Sequence, residues 1–112
     1  MKWISVFLML LVVSACSHTT ELKPAPAVNT VKAGQSLLII LEETHKDGST
    51  WQLSGDYNRK VISYEKEAWH GPTKGIYFHL RAVQSGSTEL HFIKRKYTDT
   101  LDKLTYIISN HQ

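Results

Sequence analysis

Six histidines, ten carboxylates and one cysteine are the side chains of this chain that could carry chemistry. His79 and His91 lie in two stretches where apolar and polar residues alternate, each on the side opposite Phe78 and Phe92. If a three-residue turn centred on Ser85 joins those stretches as a hairpin, the two imidazoles stand opposite one another, close enough to share a metal ion. A metal site needs more than two ligands, and only Glu89 is near enough to add a carboxylate. The pair therefore reads as two solvated side chains and no metal ligand is assigned, with a metal-binding periplasmic protein kept as a second alternative. His18 and His111 lie near the ends, without defined geometry. Glu65 and Glu67 are two apart and share a strand face, where charged residues are usually solvated. The chain has neither a Gly-x-Ser-x-Gly elbow nor a His-Glu-x-x-His helix. The sequence predicts no enzyme and no cofactor.

Cys16 has a different context. Met1-Lys2 is followed by the apolar run Trp3 to Val13, interrupted only by Ser5, and then by Val13-Ser14-Ala15-Cys16. The run is too short for an ordinary spanning helix and has the length of a signal-peptide core. The tetrad resembles a bacterial lipobox, in which the signal is cut before the cysteine and the thiol is diacylated. Two or three acyl chains anchor a protein stably, whereas one binds only marginally. The expected location is therefore the bacterial cell envelope. Ser17 in place of Asp points to the outer membrane, facing the periplasm, if the source is Gram-negative. No second cysteine exists, so the mature domain has no internal disulfide and relies on packing.

The net charge is +3, and loss of Lys2 with the signal leaves +2. Cations and anions are interspersed apart from Lys94-Arg95-Lys96, so the chain lacks the basic stripe of a nucleic-acid binder. Residues 1–15 are expected to be a lipoprotein signal peptide, 16–29 the lipidated cysteine and a flexible tether with Pro24 and Pro26, and 30–112 one domain. Within it, Val31 to Gln35 reads as a short strand and turn. Ser36 to Leu41 reads as a central strand buried on both faces. Trp51 to Leu53 and Lys60 to Glu67 follow as strands, although Glu65 to Trp69 also suits a helical turn. Ile76 to Ala82 and Leu90 to Phe92 read as the two arms of a hairpin ending at Tyr97. Leu104, Tyr106 and Ile108 share a face of the last strand. Six or seven short strands without a long helix predict an all-β sandwich or barrel. Trp51 belongs with the core, while Trp69 is balanced between packing and an exposed interface anchor. The loops Glu42–Ser49, Ala68–Lys74 and Lys94–Thr100 would collect at one end.

From Val31 to Ser109 the order of strands, glycines and aromatic loops resembles the chagasin family, small proteinaceous inhibitors of papain-like cysteine peptidases with an immunoglobulin-like fold. Ala82, Gly86 and Leu90 match its Ala-x-x-x-Gly-x-x-x-Leu framework, and Gly48 and Trp51 match the end of its first loop. Thr44-His45-Lys46-Asp47-Gly48 stands where the family reads Asn-Pro-Thr-Thr-Gly. Gly71 and Gly75 fall on its Gly-rich second loop, near Trp69. Arg95-Lys96-Tyr97 takes the place of its Arg-Pro-aromatic third loop. The resemblance implies that these residues occlude a peptidase cleft without covalent chemistry, the first loop over the catalytic cysteine and the others clamping either side. Loss of the family's prolines implies less preorganised loops. The first alternative is an envelope-anchored binding or structural lipoprotein that kept the fold without inhibiting.

Overall fold

A computed structural model describes residues 19–111, in which eight strands and no helix form: β1 (Thr19–Glu21), β2 (Val28–Lys32), β3 (Ser36–Leu41), β4 (Thr50–Leu53), β5 (Ile62–Trp69), β6 (Ile76–Ala82), β7 (Gly86–Lys96) and β8 (Asp99–His111). They make two four-stranded sheets, in the orders β1-β3-β6-β5 and β2-β8-β7-β4. The expected signal peptide and Cys16 lie outside the described residues.

The alternation seen in the sequence decides which side chains meet between the sheets. Leu37, Ile39 and Leu41 of β3 and Ile76, Phe78, Leu80 and Ala82 of β6 point inward from one sheet. Leu90 and Phe92 of β7 and Tyr106 and Ile108 of β8 point inward from the other. Phe78 meets Phe92 across the interior with ring centroids 4.8 Å apart, and Phe92 meets Tyr106 edge-on at 5.5 Å. Trp51 is buried in the same cluster, as expected, and Leu104 packs against it.

Three expectations are corrected. First, residues 16–29 are not a free tether throughout. Thr19–Glu21 pairs parallel with Ser36–Leu38, and β2 begins at Val28. Leu22 is only 4% exposed in the core. The fold therefore already includes Thr19, the first described residue, and these early residues are held because one apolar side chain and a sheet edge recruit them. Second, β3 is buried on one face only: Leu38 and Ile40 lie half-buried on the outer side of a two-layer fold.

Third, β6 and β7 are not hairpin partners. β6 pairs with β3 and β5, whereas β7 pairs with β4 and β8. Residues 83–85 carry the chain from one sheet to the other, with the Val83 amide donating to the Val61 carbonyl at 2.8 Å. Crossing over lets Phe78 and Phe92 face each other instead of lying side by side on one half-open face. His79 and His91 consequently lie on opposite outer faces of the sandwich, so the two cannot share a metal. His91 bonds instead to Thr105 Oγ1 through Nδ1 at 3.1 Å and sits 3.4 Å from Glu89. Among the described residues no cluster of three or more potential metal ligands exists. Glu65 to Trp69 is strand throughout.

Candidate functional site

Register fixes the ends of the sandwich. Leu41, Trp69 and Ile76 are neighbours across β3, β6 and β5, and Thr50 pairs with Arg95. The connections 42–49, 70–75 and the two-residue turn Tyr97-Thr98 therefore emerge at one end, the loop end. At the opposite base lie Thr19, the turns 33–35 and 83–85, and His111. Two of the three loops are shorter than expected. Ala68 and Trp69 complete β5, and Lys94-Arg95-Lys96 completes β7, so Tyr97 and Thr98 alone turn the chain back into β8. Opposite charges face across that hairpin, Lys94 with Asp102 and Lys96 with Asp99, which favours its pairing. Tyr97 is 90% exposed at its tip.

The first loop is organised by a residue to which the sequence assigned no role of its own. Glu43 continues the inward period of Leu37, Ile39 and Leu41, and its carboxylate is buried at 2% exposure. One oxygen, Oε1, accepts from the Trp51 amide at 2.7 Å and from Thr50 Oγ1 at 3.1 Å. The other, Oε2, accepts from His45 Nε2 at 2.5 Å. The charge thus ties the start of the loop to its end. Its backbone is held as well: the Trp69 indole donates to the Glu43 carbonyl at 2.7 Å, and the Trp51 indole to the Glu42 carbonyl at 3.0 Å. In sequence Glu43 falls in the polar, turn-rich stretch Glu42–Ser49 and reads as part of a loop; the continued period of two was the sign of burial.

His45, placed at the family's proline position by the sequence, has φ of 64°. Proline is locked near −65° and could not occupy that conformation. His45 instead stacks on Trp69, with ring centroids 4.2 Å apart and planes 21° from parallel. The loss of proline therefore does not leave this loop loose: a buried carboxylate and a stacked pair restrain it. Trp69, 42% exposed, is both a packed residue and an open surface. Replacing Trp69 by Ala should cost about 1–2 kcal/mol of stability, from one hydrogen bond and one stack. Chemical denaturation would measure this, and a midpoint unchanged from the parent would contradict the bracing role.

Beyond this root, Lys46, Asp47 and Gly48 form an exposed tip. Asp47 Oδ1 accepts from the Ser49 amide at 3.0 Å and Ser49 Oγ at 2.7 Å. These bonds, with help from Lys94, hold its carboxyl below the ordinary value of 3.8. A depressed folded pKa contributes order that is present above the unfolded value and lost as pH falls through the folded one. The Ser49 amide resonance should accordingly titrate with a midpoint below 3.8, and a midpoint at or above it would exclude the bond in solution.

The second loop is a closed turn, with the His70 amide bonded to the Gly75 carbonyl and the Gly75 amide to the Gly71 carbonyl, at 2.8 and 2.9 Å. Gly71 lies half-buried and Gly75 is buried, so Gly75 supports the loop and offers no contact surface. Thr44, His45, Lys46, Asp47, Gly48, Trp69, Arg95, Lys96 and Tyr97 do reach the loop end with exposed or partly exposed side chains or backbone. Loop one occupies the middle: Trp69 joins it to loop two. Lys94 lies over Trp51, 6.0 Å from the ring centroid, on the side of the third turn.

The domain resembles EhICP2, a cysteine protease inhibitor from Entamoeba histolytica, with a TM-score of 0.69 and 18% identity, covering 84% of this chain and 94% of that one. The fold is chagasin-like. Amebosin is also similar, with a TM-score of 0.49 and 15% identity over 83% of this chain and 94% of its own. No protein-family model matches the sequence, and no curated protein matches it. The chagasin-like domain thus shares strands and topology with a protease inhibitor while differing from it at most positions.

Proposed function

We propose that this protein inhibits papain-like cysteine peptidases by laying the loop end across the active-site cleft, and that acyl chains on Cys16 hold it in a bacterial envelope. The observation that carries the inhibitor reading is the braced first loop, flanked on both sides at one end of a chagasin-like sandwich. Occlusion needs a protruding segment that does not collapse on contact, because ordering a loose loop weakens binding. The Glu43 ties and the Trp69 stack supply that rigidity, and they leave Lys46, Asp47 and Gly48 projecting. Asp47 is bonded by Ser49 through one carboxylate oxygen, Oδ1, which offsets part of the cost of burying it in a cleft. Lys46 is the cation at the tip and favours a peptidase with an acidic subsite.

The test is inhibition of papain and of a cathepsin-type peptidase by a signal-free form beginning at Ser17, which preserves β1. Submicromolar inhibition that disappears when Thr44–Gly48 is shortened supports the reading. A folded domain that inhibits neither enzyme overturns it and favours the envelope-anchored structural module. The anchor is tested separately, by the mass of the mature protein made with its own N-terminus in a bacterium.

A further inference from the structure

We infer that the base of the sandwich is a membrane-facing surface and that the loop end is directed away from the bilayer. The inference rests on the proposed acylation of Cys16, not on the proposed inhibition. Thr19 pairs with Ser36, the first residue of β3, which places the start of the fold at the base. Only Ser17 and His18 separate Cys16 from Thr19. Three residue steps span at most about 11 Å of extended chain. An acylated Cys16 therefore cannot hold the base much further than that from the headgroups, and β1 then runs parallel to β3, toward the loop end.

The composition of the base fits an anionic surface. The turns gathered there are residues 32–36, 58–61 and 82–87, beside the last residues of β8, 110–111. Their charged side chains are Lys32, Arg59 and Lys60, all exposed; the nearest acidic side chains are Asp56, two residues before Asn58, and Glu65, paired with Arg81. Val83 projects from the same end, 45% exposed. Cations held within about 10 Å of an anionic bilayer remain inside the Debye length at ordinary salt. At the other end, the eleven residues of β7 place Lys96 roughly 35 Å from Gly86. The inhibitory loops would thus meet peptidases in the aqueous space and not those lying flat on the lipid.

Depth measurement on the full-length, acylated protein tests this. Acylation blocks the Cys16 thiol, so a single new cysteine can carry a fluorophore: Val83→Cys or Lys32→Cys at the base, Thr98→Cys at the loop end. The protein is reconstituted in phosphatidylethanolamine–phosphatidylglycerol vesicles containing headgroup-nitroxide lipid. Either base label should be quenched severalfold more than the Thr98 label, and a flexible insertion between His18 and Thr19 should erase most of the contrast. Equal quenching at both ends, or stronger quenching at Thr98, overturns the orientation while leaving acylation and inhibition standing. A mature protein without acyl groups overturns the anchor and this inference together.

Discussion

Glu43→Ala should lower the stability of the domain by about 2–3 kcal/mol, since it leaves the buried Trp51 amide without an acceptor and removes the partner of His45. For a domain of this size that corresponds to a fall in melting temperature of roughly 10–20 °C. The Glu43→Gln variant separates charge from hydrogen bonding: its amide oxygen can still accept from the Trp51 amide, and the loss should be about 1 kcal/mol. Amide exchange localises the effect, because Trp51 should lose protection in the Ala variant at temperatures where the core strands β6 and β7 keep theirs. If inhibition depends on a preorganised loop, the folded Ala variant should also inhibit papain at least about tenfold less well, equivalent to about 1.4 kcal/mol of binding. An Ala variant that melts with the parent would show that Glu43 does not hold the loop.

What could be read from the sequence, and what could not, follows from the range of each signal. The inward faces of β6, β7 and β8 were visible because a period of two is local, whereas the unbroken apolar run of β3 hid which of its faces turns inward. Which sheet a strand joins is not local. Ile76 to Ala82 and Leu90 to Phe92 have the same alternation whether they pair directly or face each other across a core. A short glycine-containing turn is compatible with both. The choice is made by Phe78 and Phe92, which bury more surface as opposed rings than as neighbours on one sheet. The wrong pairing also produced the expected His79–His91 contact, and that contact fell with it.

The edge strand β1 was hidden for another reason. Thr19–Glu21 has no apolar residue, and its stability is borrowed from the β3 edge and from Leu22, neither of which leaves a periodic trace. Its presence changes the expected tether, since Thr19–Glu21 is strand paired with β3 and not part of a free leash. The three loops do share one end, as expected, because in antiparallel strands alternate connections lie at the same end whichever sheet each strand joins. Their rigidity was misjudged because proline was taken as the only device that restrains a loop. Here a buried carboxylate does so, and Glu43 is recognisable only once Leu37, Ile39 and Leu41 are known to point inward.

Gly75→Ala should be the most damaging small change at the loop end, costing about 3 kcal/mol or more through left-handed strain and a backbone collision together. Gly75 has φ of 85°, and a methyl group there would run into the carbonyl of Leu41. Leu41 is the last residue of β3 and the partner of Ile76, so neither side can yield without opening the sheet where the first loop begins. Gly71→Ala is the internal control: its φ is 100°, equally unfavourable to alanine, but the space around it is open. That variant should lose only about 1–2 kcal/mol, the cost of the left-handed conformation. The difference between the two variants, read from denaturant midpoints at constant slope, isolates the collision. The Trp69 indole proton should exchange faster in Gly75→Ala than in Gly71→Ala, because displacement of Leu41 carries the Glu43 carbonyl with it. Equal losses in the two variants would mean that the second loop merely rests on β3, and that the first loop is braced by Trp69 and Glu43 alone.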